Sequence, residues 1–292
     1  MTTIELGPWF RRAGLFAGAM MFWRFGTLFF HANKGFHLAN RSRPFQRELE
    51  DCRARVLVVG DSLAVGTGAH RAEDSIAGLL AREFPDVAVV NRARNGAKAA
   101  DAVHQLRALP ARLRFDVVLV HVGGNDVLRA TPLPKLEADL AEVFREARAR
   151  TNHVIFMSPP NIGLCPVFFP PFSWLLSMRS RHARAIFVRI SEEHGVACID
   201  LFRERGEDVF SRNPRLYYAD DRLHPTSESY RAAYHAICEG SQLRNILRAV
   251  EADAQAQASL AAHASVATQA SVATQAQAHA SVAAEPSIAA AA

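Results

Sequence analysis

Between residues 54 and 200 the sequence alternates short β-branched apolar runs with longer stretches of helical spacing, and few folds accommodate that alternation. The runs lie at 55–59 (RVLVV), 87–90 (VAVV), 117–120 (VVLV), 154–157 (VIFM) and 196–199 (VACI). Continuous apolar strands of this kind are buried on both faces, so something must cover each face. The intervening stretches, about 72–84, 99–108, 133–150 and 174–194, carry apolar residues at helical spacing and supply the cover. The expectation is an α/β fold: three layers, a five-stranded parallel sheet with helices on both faces.

In such sheets ligands bind outside the carboxyl ends of the strands, so the residues that follow each strand carry the functional information. After the first come Gly60, Asp61, Ser62 and Leu63; after the second, Asn95 and Gly96; after the third, Gly123, Gly124, Asn125 and Asp126. Further on, Asp221, Arg222, Leu223, His224 and Pro225 precede a helical run, with Pro225 expected to mark its start. A carboxylate three residues before a histidine can turn back to its Nδ1 and orient it.

A serine hydroxyl is a weak nucleophile at neutral pH. Acyl transfer therefore needs an imidazole to take its proton, a carboxylate to fix the tautomer, and donors for the developing oxyanion. Ser62 fits the nucleophile, His224 the base and then the acid, and Asp221 the orienter. The backbone N–H groups of Ser62 and Gly96 with the Asn125 amide fit the oxyanion hole. Four blocks in this order, GDSL at 60–63, Gly96, GGND at 123–126 and DRLHP at 221–225, resemble the SGNH (GDSL-like) hydrolases over about residues 54–240. That resemblance implies a flavodoxin-like fold and hydrolysis of esters, thioesters or related acyl compounds with no metal or organic cofactor. It places the family's Ser, Gly, Asn and His on Ser62, Gly96, Asn125 and His224. Ser229 stands where a glycine often follows the histidine in that family.

Other readings of the same residues fare worse. An α/β-hydrolase elbow needs GxSxG, whereas Ala64 is the second residue after Ser62, and a P-loop needs a lysine that Gly66-Thr67-Gly68-Ala69 lacks. Taken singly, Ser62 could be a helix cap, Gly96 a turn residue, Asn125 an Asx-turn and His224 one of twelve histidines; four such coincidences at one sheet edge are harder to accept. Asp61 and Asp126 read as structural hydrogen-bonders, His121 as a satisfied core histidine, and Asp220 as a neighbour of the acid rather than the acid.

The chain organises into a hydrophobic, basic arm (1–50), a hydrolase domain (51–250) and a low-complexity tail (251–292). The tail holds 19 Ala in 42 residues and repeats ASVATQ at 264–269 and 270–275, a composition expected to be disordered or weakly helical. In the arm, residues 13–30 are apolar apart from Arg24 and Thr27, close to the minimum for a membrane span. The central arginine makes spanning marginal, and the flanking basic residues give no orientation. With Trp9, Phe10, Phe22, Trp23, Phe25, Phe29 and Phe30 the segment suits an interfacial helix. A helix packed on the hydrolase domain and a cleaved signal segment are the other readings. A membrane-associated location is favoured, with a soluble cytoplasmic one as the alternative.

Charge and cysteines exclude other classes. The chain has 34 Lys and Arg against 29 Asp and Glu, a mild excess scattered along helices, so no nucleic-acid partner is expected. Cys52, Cys165, Cys198 and Cys238 contain no CxxC pair, which suggests neither a zinc site nor a disulfide framework. The loop at 159–176 has five prolines and an apolar cluster; Leu164, Phe168, Phe169 and Phe172 are candidates to wall an acyl pocket or to touch a bilayer, unless the loop packs on the arm instead. The expected function is a serine esterase for acyl esters, with lipid-like ones favoured over sugar esters if the loop walls the pocket or meets a membrane. An acyltransferase using the same site, and a catalytically idle membrane-binding module, are the competitors.

Overall fold

The computed structural model describes the backbone of residues 8–250 and, except for residues 8–15 and 17, their side chains; beyond them it describes positions 252, 256, 263 and 269, all helical. The chain divides into two compact units, residues 1–246 and 247–292. Apart from those four positions, the expectation for the 251–292 tail falls outside the described residues.

Five strands, β1 (Ala54–Gly60), β2 (Val87–Asn91), β3 (Val117–His121), β4 (Val154–Met157) and β5 (Ala197–Ile199), form an all-parallel sheet in the order β2-β1-β3-β4-β5. Before residue 241 the α-helices in chain order are α1 (Pro8–Arg41), α2 (Ser62–Val65), α3 (Ile76–Glu83), α4 (Ala99–Arg107), α5 (Gly124–Leu128), α6 (Leu133–Arg148), α7 (Phe172–Glu193), α8 (Val209–Arg212), α9 (Pro214–Tyr217) and α10 (Ser227–Gly240), and residues 243–250 are helical as well. One sheet face, including Leu57, Val59, Val118, Val120 and Phe156, is packed by α4, α6 and α7 through Leu106, Leu140, Phe144 and Phe187. Val56, Val58 and Leu119 alternate with these and are equally buried, and the side they face is covered by α3 and α10, which pack together. The expected three-layer architecture is therefore present. Strand order reverses beside β1, which puts the ligand crevice at the carboxyl ends of β1 and β3.

Two local expectations need correction. The helical stretch 72–84 is broken: residues 72–74 form a 3₁₀ turn, and Ser75 then caps α3 by accepting from the Gly78 N–H at 3.2 Å. A serine side chain that satisfies a free N–H at a helix start competes well with a continuous helix. Pro225 likewise does not open α10, because Thr226 is its N-cap and the helix begins at Ser227.

Arg47, after α1, bridges to Val89 of β2 in antiparallel sense, and its guanidinium donates to the carbonyls of Ala81 (2.6 Å), Phe84 (2.5 Å) and Val87 (2.7 Å). An otherwise open sheet edge is thereby covered. Farther back, α1 meets the loops at the carboxyl edge: the Ala39 carbonyl accepts from Asn95 Nδ2 at 2.8 Å, and Lys34 lies 4.0 Å from Asp220. Among the described residues, no helix is long and apolar enough to cross a membrane.

Candidate active site

The turn that carries Ser62 is built by Gly60. Its φ of +138° is open to glycine, and a Cβ there would stand 1.9 Å from the His121 carbonyl oxygen, so β1 can approach β3 this closely only without a side chain. Asp61 then caps α2 by accepting from the Leu63 N–H at 2.9 Å, and Ser62 becomes the first helical residue, half-buried. The turn is clamped from below by Tyr230 of α10, whose hydroxyl donates to the Thr67 carbonyl at 2.8 Å. Gly68 completes the fit: a Cβ would lie 2.2 Å from the Pro225 carbonyl oxygen and 3.2 Å from the His224 Cβ. The segment carrying Ser62 and the loop carrying His224 are thus in direct backbone contact.

The His224 loop reverses within three residues because Arg222 takes a left-handed conformation, φ +60°. Asp221 Oδ2 lies 2.5 Å from His224 Nδ1, while its Oδ1 accepts from the N–H groups of Leu223 and His224, both at 3.0 Å. Asp221 is 1% exposed. Burial by itself pushes its carboxyl upward, but the His224 ring and the two backbone donors outweigh burial and hold it below the usual carboxylate range. Asp220 plays a different part: its carbonyl meets the His31 ring at 3.1 Å and its carboxylate faces Lys34.

Gly96, φ +76°, turns the β2–α4 loop toward the same edge, with room for a Cβ limited by the Arg129 guanidinium at 3.0 Å. Asn125, in α5 directly after β3, donates from Nδ2 to the Ala97 carbonyl at 3.1 Å and hydrogen-bonds Asp61. Asp61 is buried, and desolvation raises its carboxyl to about 7 against the lowering effect of the Leu63 N–H. Asp126 accepts from the Ala99 N–H at 2.9 Å, and burial raises it too. Both aspartates serve backbone donors.

Ser62, Asn125 and His224 share one cavity of about 310 Å³. Its apolar walls come from Leu201, Val209, Phe210 and Tyr217 on the segment between β5 and α10, and from Ala233 and Ala236 of α10. The four residues expected to wall an acyl pocket do not line it. Leu164 and Phe169 are buried, Phe168 packs against the core, and Phe169 and Phe172 meet Phe25 of α1 edge-on at 5.9 and 6.0 Å. The proline-rich loop is divided: Pro159, Pro160, Ile162 and Cys165 line the cavity, whereas Phe169 and Phe172 pack on the arm. The 201–218 segment was overlooked although it too follows a strand carboxyl end, the one signal that pointed to it.

His121 corrects another expectation. It is 1% exposed, yet neither ring nitrogen has a hydrogen-bond partner, and desolvation lowers its pKa to about 3. Among the described residues no three His, Cys, Asp or Glu side chains converge as a metal site would, and all four cysteines are free thiols.

A serine at the carboxyl edge of a parallel five-stranded sheet, in one cavity with a histidine held by an aspartate, is the arrangement that the comparisons with known proteins place in a family. Residues 58–232 match the GDSL-like lipase/acylhydrolase family, to which the chain belongs. Esterase TesA of Pseudomonas aeruginosa is 35% identical over 124 residues, spanning 40% of this chain and 61% of that protein. The GDSL-like esterase Rv1075c of Mycobacterium tuberculosis is 26% identical over 185 residues, 61% of this chain and 58% of that protein. The matches thus span about three fifths of these curated relatives. Among solved structures, a TesA crystal structure superposes with a TM-score of 0.52 at 22% identity, covering 64% of this chain and 97% of its own. An extracellular lipase from Streptomyces rimosus does so with 0.52 at 19% identity, covering 64% and 100%. At these identities the structural likeness bears on the fold.

Proposed function

We propose that the protein is a carboxylic ester hydrolase that works through an acyl-enzyme on Ser62 and prefers esters with an apolar acyl chain. The observation that carries the reading is the 2.5 Å contact between Asp221 and His224 Nδ1 beside a cavity that also holds Ser62. With Nδ1 engaged, Nε2 is the nitrogen left to take the Ser62 proton as Oγ attacks the ester carbonyl, and later to return it to the leaving alcohol. Water, activated by the same nitrogen, then releases the acid.

The carbonyl oxygen, as it gains charge, takes hydrogen bonds from the Ser62 and Gly96 N–H groups and from the Asn125 amide. An oxyanion is a stronger acceptor than the Ala97 carbonyl, so it draws the amide from its resting partner. The apolar cavity supports the chain preference: at roughly 30 Å³ for a water-sized group, its volume suits on the order of ten chain atoms. The relatives named as esterases and lipases support ester chemistry in general.

Hydrolysis of p-nitrophenyl esters from acetate to palmitate by wild type and Ser62→Ala tests the reading. Rates should rise to a medium chain and fall beyond it, and Ser62→Ala should lose on the order of 10⁴-fold or more in kcat. Ser62-dependent release confined to acetate would overturn the chain preference. No Ser62-dependent release unless an alcohol acceptor is supplied would indicate an acyltransferase instead.

A further inference from the structure

The site described above leaves the first half of α1 unused. From residue 16 to 26, apart from the undescribed side chain of residue 17, every residue is exposed, including Phe16 (73%), Phe22 (83%) and Trp23 (62%); Phe29 (77%) and Phe30 (57%) continue the surface. A helix that is apolar all round is ordinarily covered by protein or lipid. Phe25 joins this helix to the start of α7 through Phe169 and Phe172, and there Trp174 (64%), Leu175 (54%) and Met178 (48%) are exposed as well. The two elements form one apolar platform.

Charge decides what covers it. Residues 8–41 contain Arg11, Arg12, Arg24, Lys34 and Arg41 and no Asp or Glu at all. A second copy of this helix would bring arginine against arginine with no acid to pair them, whereas a surface of anionic headgroups complements the arginines of α1, Lys34 already facing an acid, Asp220. We infer that the α1–α7 platform docks on an anionic lipid surface, with the aromatic side chains at headgroup depth and α1 lying on the bilayer rather than crossing it.

The platform is fastened to the catalytic edge. Eleven residues along α1 from Arg24, Gly35 stands against Asp221, and His31 and Lys34 engage Asp220 between them. Docking therefore holds the mouth of the site near the lipid surface, where esters with apolar chains reside. Binding itself needs no catalysis, so it can be measured on Ser62→Ala whether or not the ester reading holds.

All three tryptophans of the chain, Trp9, Trp23 and Trp174, fall on α1 or the start of α7, and Trp23 and Trp174 are exposed on the platform, so intrinsic fluorescence reports on these two helices. Full-length protein is titrated with vesicles of phosphatidylcholine, and with vesicles containing phosphatidylglycerol at roughly one lipid in three. The expected result is a blue shift and co-sedimentation at least tenfold stronger with the anionic vesicles, weakened by salt. Phe22→Ser combined with Phe29→Ser should lose at least tenfold in vesicle binding while keeping full turnover of a short soluble ester, which also shows that the fold is intact. Equal binding to both vesicle types, binding unchanged in the double variant, or concentration-dependent dimerisation without vesicle binding would each overturn the inference.

Discussion

Gly35 of α1 and Asp221 of the His224 loop are packed so closely that a Cβ on the glycine would lie 3.0 Å from Asp221 Oδ2, the oxygen that faces His224. A helix outside the family match at residues 58–232 therefore seals the acid of the Asp–His pair. Gly35→Ala removes a helix-interior glycine, which by itself favours the helix, but it pushes on Asp221. The expected outcome is a fall of roughly tenfold in kcat on a short ester with no loss of melting temperature. Steady-state kinetics beside a thermal melt checks it; unchanged kcat would show that the contact has no bearing on the acid.

Asp221→Asn keeps the shape of the loop and changes the proton pattern. The amide donates where the carboxylate accepts, so the imidazole carries its proton on the nitrogen that must receive one from Ser62. A loss on the order of 10²–10⁴ in kcat, with KM little changed, is expected. Ester hydrolysis by this variant should recover in part as pH rises and hydroxide competes for the serine proton.

The cavity wall gives a specificity test. Ala236 of α10 lines the cavity that Ser62 and His224 share, and a phenyl ring there fills space an acyl chain would use. Ala236→Phe should lower kcat/KM for octanoate esters by roughly tenfold or more while leaving acetate esters nearly untouched, since each excluded methylene forfeits about 0.8 kcal/mol of burial. Parallel loss on both esters would mean that the wall does not contact the chain.

The strands and the chemical blocks were legible in the sequence because both are local signals. A run such as Val117–Val120 needs burial on both faces wherever it sits, and Ser62, Gly96 and Asn125 follow strands that a parallel sheet must align at one edge. The cavity wall was not legible in the same way. Its helices α8 and α9 are four residues each, too short to show a period, and their apolar residues face a site that only the folded chain assembles. Phe169 and Phe172 were misplaced for the opposite reason: an apolar loop at a strand end has several apolar destinations, a pocket, a bilayer or a helix, and composition cannot say that α1 is the one these two rings take.

His121 shows the same limit and gives a pH prediction. Its position at the end of a buried strand was readable, but its lack of ring partners was not. Burial lowers its pKa to about 3, whereas an unfolded histidine titrates near 6.5. Between those values the unfolded chain binds the extra proton, so stability falls as pH drops from about 6.5 toward about 3, by about 1.4 kcal/mol per pH unit for this group. His121→Leu should lack this component. Urea unfolding of both proteins at pH 7 and pH 5 checks it, and an identical pH dependence would mean that the ring is solvated or paired.

The account stands on Ser62 being an activated nucleophile. Reaction of the folded wild type with a fluorophosphonate, followed by peptide mass spectrometry, tests that most directly. The predicted result is one adduct, on Ser62, absent in Ser62→Ala and slowed by at least tenfold in His224→Ala. A folded protein that gives no adduct, or an adduct that persists in Ser62→Ala, would contradict the central claim and leave α1 as the working part of a binding protein.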